Sequence, residues 1–181
     1  MNKLNLVIKT MFVAIICGIM FSCGGGTRGG GNDNSLKEHA DIYGVSFQYP
    51  SGWEVSKTEE FGAIKYISIE KKGLASSGLV TMSFTEEDYE LDEYLQLFQE
   101  SLLAQKNLKN MVFQKANEAC YGKYKGIVSS YTFETLSIKH EGKMYIFNEN
   151  GTTMCLIEQE AVEDHKKNLR GFEAIRESLS F

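Results

Sequence analysis

Phe47-Gln48-Tyr49-Pro50-Ser51-Gly52-Trp53-Glu54-Val55 holds both the only proline and the only tryptophan of a 181-residue chain. Val45, Phe47 and Tyr49 alternate with Ser46 and Gln48, the pattern of a half-buried strand. Tyr49-Pro50-Ser51-Gly52 then fits a type I turn, with proline at its second position and glycine at its fourth. Trp53 and Val55 restart the alternation. Proline fixes φ where the chain must reverse or kink. The bulky indole just after it is placed to close one end of a hydrophobic core.

The same alternation recurs on both sides of a change of period. Ile64 to Ile69 reads as a strand, and so do Val80, Met82 and Phe84. Leu91, Tyr94, Leu95, Phe98 and Leu102 then recur at helical spacing, behind acidic residues that suit a helix N-terminus. Strand patterns return over Met111 to Asn117 and Tyr124 to Phe133, with a turn at Tyr121-Gly122-Lys123 between them. Leu136 and Ile138 lead to His140-Glu141-Gly142, read as a hairpin turn. Met144 to Phe147 and Met154 to Glu158 flank Asn150-Gly151, the strongest short hairpin signal. Leu169, Phe172, Ile175 and Leu179 mark a closing helix, with Asp164 placed to cap it. Three strands, a helix, four or five strands and a helix, joined by tight turns, predict an α+β domain. Its antiparallel β-sheet is flanked by two helices.

Tyr-Gly-Val-Ser-Phe-Gln-Tyr-Pro-Ser-Gly-Trp (residues 43–53), a hairpin, an acidic helix, hairpins ending in a Tyr/Cys-rich strand, and a closing Phe172-x-x-Ile175-x-x-Ser178-Leu179 helix follow one another. That order resembles the PsbP-like family, whose fold DcrB-type bacterial lipoproteins share. The resemblance spans about residues 42–181 and implies an α/β/α sandwich. It also implies a small accessory or binding protein, and it brings no shared catalytic motif.

The N-terminus carries an address. Lys3 and Lys9 precede an uncharged apolar run from Thr10 to Phe21. This is the plan of an export signal, and it is shorter than the roughly 20 residues a membrane span needs. It ends on Ser22-Cys23, a small residue before a cysteine, which resembles a bacterial lipobox. The expected division is a lipoprotein signal peptide at 1–22, an acylated Cys23 with a Gly-rich tether through 35, and a PsbP-like domain at 36–181. Cys23 would carry a diacylglyceryl thioether and an N-acyl group. The tether buries nothing apolar, and a Gly-rich coil of that length averages about 20 Å end to end. Gly24 directly after the cysteine, and no early acidic cluster, lean by analogy towards the outer membrane and its periplasmic face.

Removing the leader takes two of the 19 basic residues and leaves 17 against 24 acidic ones, a net charge of −7. That balance argues against nucleic acid and against peripheral binding to anionic lipid. Cys120 and Cys155 remain in a compartment that permits disulfides, so one bridge between them is open. Nothing calls for a metal or a cofactor. Glu86 to Glu93 lacks calcium-loop spacing, and helix-start acids explain it. His39, His140 and His165 form no ligand pair. No nucleophile has a surrounding motif, so the expectation is a non-catalytic envelope lipoprotein that binds a protein partner. The alternative is a small-ligand or metal-ion-binding lipoprotein with a pocket between sheet and helix. An exposed aromatic patch would favour the first, and a cleft with converging polar groups the second.

Overall fold

The computed structural model describes residues 37–73 and 76–181. The expected signal peptide, Cys23 and the tether lie outside the described residues. β1 (Lys37–Ile42) and β2 (Val45–Pro50) form an antiparallel two-stranded ribbon. Its turn is Tyr43-Gly44, both left-handed, with φ of 56° and 80°. β3 (Trp53–Phe61), β4 (Ile64–Lys71) and β5 (Leu79–Thr85) follow, then helix α1 (Leu91–Leu103). β6 (Lys109–Phe113), β7 (Asn117–Tyr121), β8 (Tyr124–Thr135), β9 (Ile138–Glu149) and β10 (Thr152–Ala161) complete the strands. A 3-10 turn over Val162–Asp164 leads into α2 (His165–Ser178). The eight-stranded sheet has the order β3-β4-β5-β10-β9-β8-β6, with β7 also on β8, and every pairing is antiparallel. No helix among the described residues is long and apolar enough to cross a membrane.

The sheet is covered on both faces, which makes the fold an α/β/α sandwich as expected. On one face Tyr94, Leu95, Phe98 and Leu102 of α1 lie on Tyr66, Phe133, Ile146 and Ile157. On the other, Phe172 and Ile175 of α2, with Phe47 and Tyr49 of the ribbon, lie on Ile69, Met82, Tyr145 and Leu156. Central β5 is buried at every position, so it shows no polar face.

Pro50 ends β2, and the chain kinks at Ser51-Gly52 instead of reversing, so β2 joins the ribbon and β3 joins the main sheet. Trp53 sits at that corner and is 2 % exposed. Its ring meets Phe172 edge-on at 5.5 Å. A β-carbon at Gly78 would stand 2.7 Å from the indole, and one at Gly171 of α2 would collide with it. Gly171→Ala therefore sets two effects against each other. Helix propensity gains about 1 kcal/mol, while overpacking a filled core costs about 1–3 kcal/mol. Wedged between Gly78 and Phe172, the ring has no room to retreat. A lower urea midpoint is expected. A raised midpoint, as for an unhindered helical glycine, would contradict this packing.

Four local expectations are corrected. The hairpin turn between β8 and β9 is Leu136-Ser137, with φ of 50° and 64°, and not His140-Glu141-Gly142. A left-handed turn without glycine or asparagine carries no sequence signal. Gly142 lies inside β9 instead, where a β-carbon would stand 2.6 Å from the Tyr131 hydroxyl. Met111 to Asn117 is interrupted between β6 and β7, although Gln114 still donates its N–H to Ser130 O at 2.8 Å. β1 was not read as a strand because, of its six residues, only Ala40 is buried. Asp164 precedes α2 but caps nothing. It accepts from Ser77 Oγ at 2.8 Å and pairs with Lys167 Nζ at 2.6 Å.

Candidate functional site: a cleft between α2 and the sheet

β10 begins as an apolar strand and ends as a charged one. On the face beneath α2, Met154 and Leu156 are followed at the same period by Glu158 and Glu160, which remain 5 % and 4 % exposed. The register sets Glu158 opposite Lys143 and Glu160 opposite Glu141 on β9. α2 crosses above them. His165, Leu169, Phe172 and Arg176 stand at helical spacing on one of its faces, so a single stripe looks into the gap. The result is a cleft of about 570 Å³, closed at the side by Val112 and Gln114 at the sheet edge. Its rim is apolar, since Val112 is 60 % and Leu169 41 % exposed. Its floor is ionic.

Two charged groups make that floor. Arg176 Nη2 donates to both oxygens of Glu158, at 2.8 and 2.6 Å. The guanidinium also lies 5.5 Å from the ring centre of Tyr121 and 5.9 Å from that of Tyr145. Burial pushes the Glu158 carboxyl above its ordinary value, against the pull of Arg176 and Tyr121. The second group is His165, Glu160 and Glu141. His165 Nδ1 is 2.7 Å from Glu160 Oε1 and 3.3 Å from Glu141 Oε1. Asn168, fully buried, donates to the other Glu160 oxygen at 2.8 Å and fixes that carboxylate. One ligand atom from each of the three lies within 4.8 Å of the others. Among the described residues this is the one such group of metal-capable side chains.

The residues singled out from the sequence are not brought together. Cys120 is exposed on β7 and Cys155 is buried in β10, and both are free thiols. The bridge open to them is not formed. β8 and β9 separate their strands, roughly 14 Å across a sheet, whereas a disulfide needs its Cα atoms within about 7 Å. Burial pushes the Cys155 thiol well up, which leaves it unreactive. His39 lies on the ribbon near Ser46 Oγ at 3.3 Å. His140 stacks on Phe133 at 5.0 Å on the α1 face, and burial lowers its pKa. Only His165 lines the cleft. The acidic run from Glu86 crowds the start of α1, as a helix N-terminus accounts for.

Glu141, Glu158, Glu160, Asn168 and Arg176 escaped the sequence reading. The signal was there in part. Glu158 and Glu160 continue an apolar run at period two, which is unusual unless the strand is central and the charges are paired. The partner of Glu158, Arg176, is 18 positions on, and those of Glu160, His165 and Asn168, also lie on α2, so only the docking of that helix brings them back.

No family model matches the chain, and no curated protein matches it. Solved structures do. LpqN of Mycobacterium tuberculosis, described as involved in cell envelope biogenesis, aligns with a TM-score of 0.52 at 13 % identity, over 80 % of this chain and 90 % of that one. The cyanobacterial PsbP of Synechocystis, CyanoP, aligns with a TM-score of 0.53 at 11 % identity, over 86 % of this chain and 97 % of that one. A protein of Bacteroides thetaiotaomicron aligns with a TM-score of 0.52 at 12 % identity, over 75 % of this chain but 44 % of its own. The fold is therefore PsbP-like.

Proposed function

We propose that the protein is a non-catalytic lipoprotein of the bacterial cell envelope, held to a membrane through acyl groups on Cys23. In this reading its PsbP-like domain is an accessory factor that binds a partner protein. The binding site is the cleft between α2 and the sheet. The membrane is the outer one, and the domain faces the periplasm. The observation that carries this is the exposed apolar rim of that cleft at Val112 and Leu169. The charges that converge below it are the feature expected of the small-ligand or metal-ion alternative, the second reading. A protruding partner segment can bury apolar atoms on that rim and reach Glu158, Arg176 or Lys143 with polar ones. In this reading the cleft binds and carries out no reaction. The description of LpqN as involved in cell envelope biogenesis is compatible with the address read from residues 1–23.

The test is capture from intact cells. The full-length protein, tagged at Phe181, is crosslinked and purified from membranes beside Leu169→Arg. Leu169 is exposed, so the substitution leaves the core alone and should lose the partner. A partner retained by Leu169→Arg would remove the cleft from its binding.

A second reading is favoured by one observation, the His165–Glu160–Glu141 group. One nitrogen and two carboxylate oxygens suit a divalent cation such as zinc, with a position left for water or a partner's ligand. Asn168 supplies the outer support that ligating carboxylates ordinarily have. Zinc titrated into the intact protein should raise its unfolding temperature, and His165→Ala should abolish that rise. An equal rise in both proteins would assign the metal elsewhere.

A further inference from the structure

The two ends of the sandwich differ in chemistry. At one end β5 stops, α1 starts, and β9 turns into β10 at Asn150-Gly151. Glu86, Glu87, Asp88, Asp92, Glu93 and Glu149 gather there, with Lys65 paired to Glu86 at 3.1 Å and with Lys123 and Lys125 at the β7–β8 turn. At the opposite end α1 stops at Leu103, β8 turns into β9 at Leu136-Ser137, and β10 passes into Val162. Four large apolar side chains are bare at this end. Leu136 is 68 % exposed, Leu103 60 %, Val162 47 % and Ile138 43 %. Lys106, Lys109, Lys139 and Lys166 lie at this end, with Glu134, Glu141, Glu163 and Asp164.

The chain also enters the domain at this second end. Lys37 pairs with Pro50, and Trp53, just beyond it, pairs with Lys71. One residue inside that level Glu54 pairs with Glu70, and this register runs on across the sheet through Leu79, Gln159 and Gly142 to Tyr131. The β8–β9 hairpin continues four pairs further, from Thr132↔Glu141 to Thr135↔Ile138. Its tip therefore stands roughly 10 Å beyond the entry level. The span of roughly 20 Å expected for the segment after Cys23 is about half the length of β8 and β9, at roughly 40 Å. An anchor on Cys23 thus holds the entry end towards the bilayer and the acidic end away from it.

The tip residues are poor choices for folding alone. A tight two-residue hairpin favours asparagine and glycine, which the opposite end uses at Asn150-Gly151. At Leu136-Ser137 both residues take the left-handed conformation, with φ of 50° and 64°. A bulky leucine held there, two-thirds exposed, is costly for the turn and gains nothing inside the domain.

We propose that this end is a membrane-contact surface. Leu136 and Ile138 at the tip, with Val162 and Leu103 behind them, enter the headgroup–acyl boundary of the bilayer that holds Cys23. Lys106, Lys109 and Lys139 meet anionic headgroups around them. The net charge of −7 pointed the other way, because an average conceals charges sorted to opposite ends. The inference rests on the lipid anchor proposed above, and it fixes which way the anchored domain faces.

The test uses the full-length protein with Cys120→Ser, which removes the one exposed thiol among the described residues, while Cys17 leaves with the expected signal peptide and the acyl group blocks Cys23. Cys155 is fully buried and takes no label. Single cysteines replace Leu136, Val162 or Glu87 and carry an environment-sensitive fluorophore. The protein is reconstituted in vesicles of phosphatidylethanolamine and phosphatidylglycerol. Labels at 136 and 162 should emit to the blue and be quenched by spin-labelled lipid, while the label at 87 stays in water. Adding Leu136→Asp and Ile138→Asp should free the label at 162 from quencher and leave the protein in the membrane. Water-like emission at 136 and 162, or quenching at 162 that survives the two aspartates, overturns the inference. The mass of the same preparation separates the two readings. An acylated chain with a wet tip overturns this inference alone, and a chain without the acyl mass overturns the anchor as well.

Discussion

Arg176→Ala is expected to destabilise the domain by about 3 kcal/mol, the lower part of the range for breaking a buried ion pair. The lower part applies because the Arg176 side chain is 29 % exposed along an open cleft, while Glu158 is 6 % exposed. Removing the guanidinium leaves a buried carboxylate without the two hydrogen bonds from Arg176 Nη2 and strips the cation from Tyr121 and Tyr145. The loss depends on pH, and its sign follows from Glu158. Burial already raises that carboxyl in the folded protein. The folded state therefore holds its proton more tightly than the unfolded chain. The stability this proton contributes is complete below the ordinary carboxylate value and is lost as pH rises through the raised one. Without Arg176 the raise is larger. The deficit of Arg176→Ala should be smallest in acid, where Glu158 is neutral in both proteins, and should grow towards neutrality. Glu158→Gln in the same chain should recover part of it. Urea unfolding at several pH values reads all three. A deficit independent of pH would mean that lost packing dominates, not the unpaired charge.

Cys23→Ala is expected to move the protein from the membrane fraction to the soluble one. A single acyl chain binds a membrane only marginally, whereas two or more hold it stably, and in the proposed reading all of them depend on this cysteine. The apolar run from Thr10 to Phe21 cannot substitute, because it falls well short of the roughly 20 residues that span a bilayer. Fractionation of the wild type and the variant reads the result. A variant still in the membrane would mean that the leader itself anchors the chain.

Particular residues show how far the sequence could be read. Phe47, Tyr49, Trp53, Leu95, Phe98 and Ile175 are core residues, because two-residue and helical periods report burial directly. The kink at Pro50-Ser51-Gly52 was legible as a break in the strand. Its consequence, a change from one sheet to another, was not, because strand partners are set by distant residues. Leu136-Ser137 hid a turn because its residues lack turn chemistry, and Gly142 suggested one where glycine serves the Tyr131 ring. The cleft was the least legible part. Each of its charges is ordinary alone, and its chemistry exists only once α2 has docked over β9 and β10.

The central claim is that a tethered domain presents this cleft to a partner protein. Site-specific photo-crosslinking in intact cells tests it most directly, with the photoreactive residue at Leu169 on the cleft rim or, as a control, at Glu59 on the edge strand β3. The account predicts a discrete adduct of one partner from Leu169 and none from Glu59. An adduct from Glu59 with none from Leu169 would place the partner on another surface and contradict it.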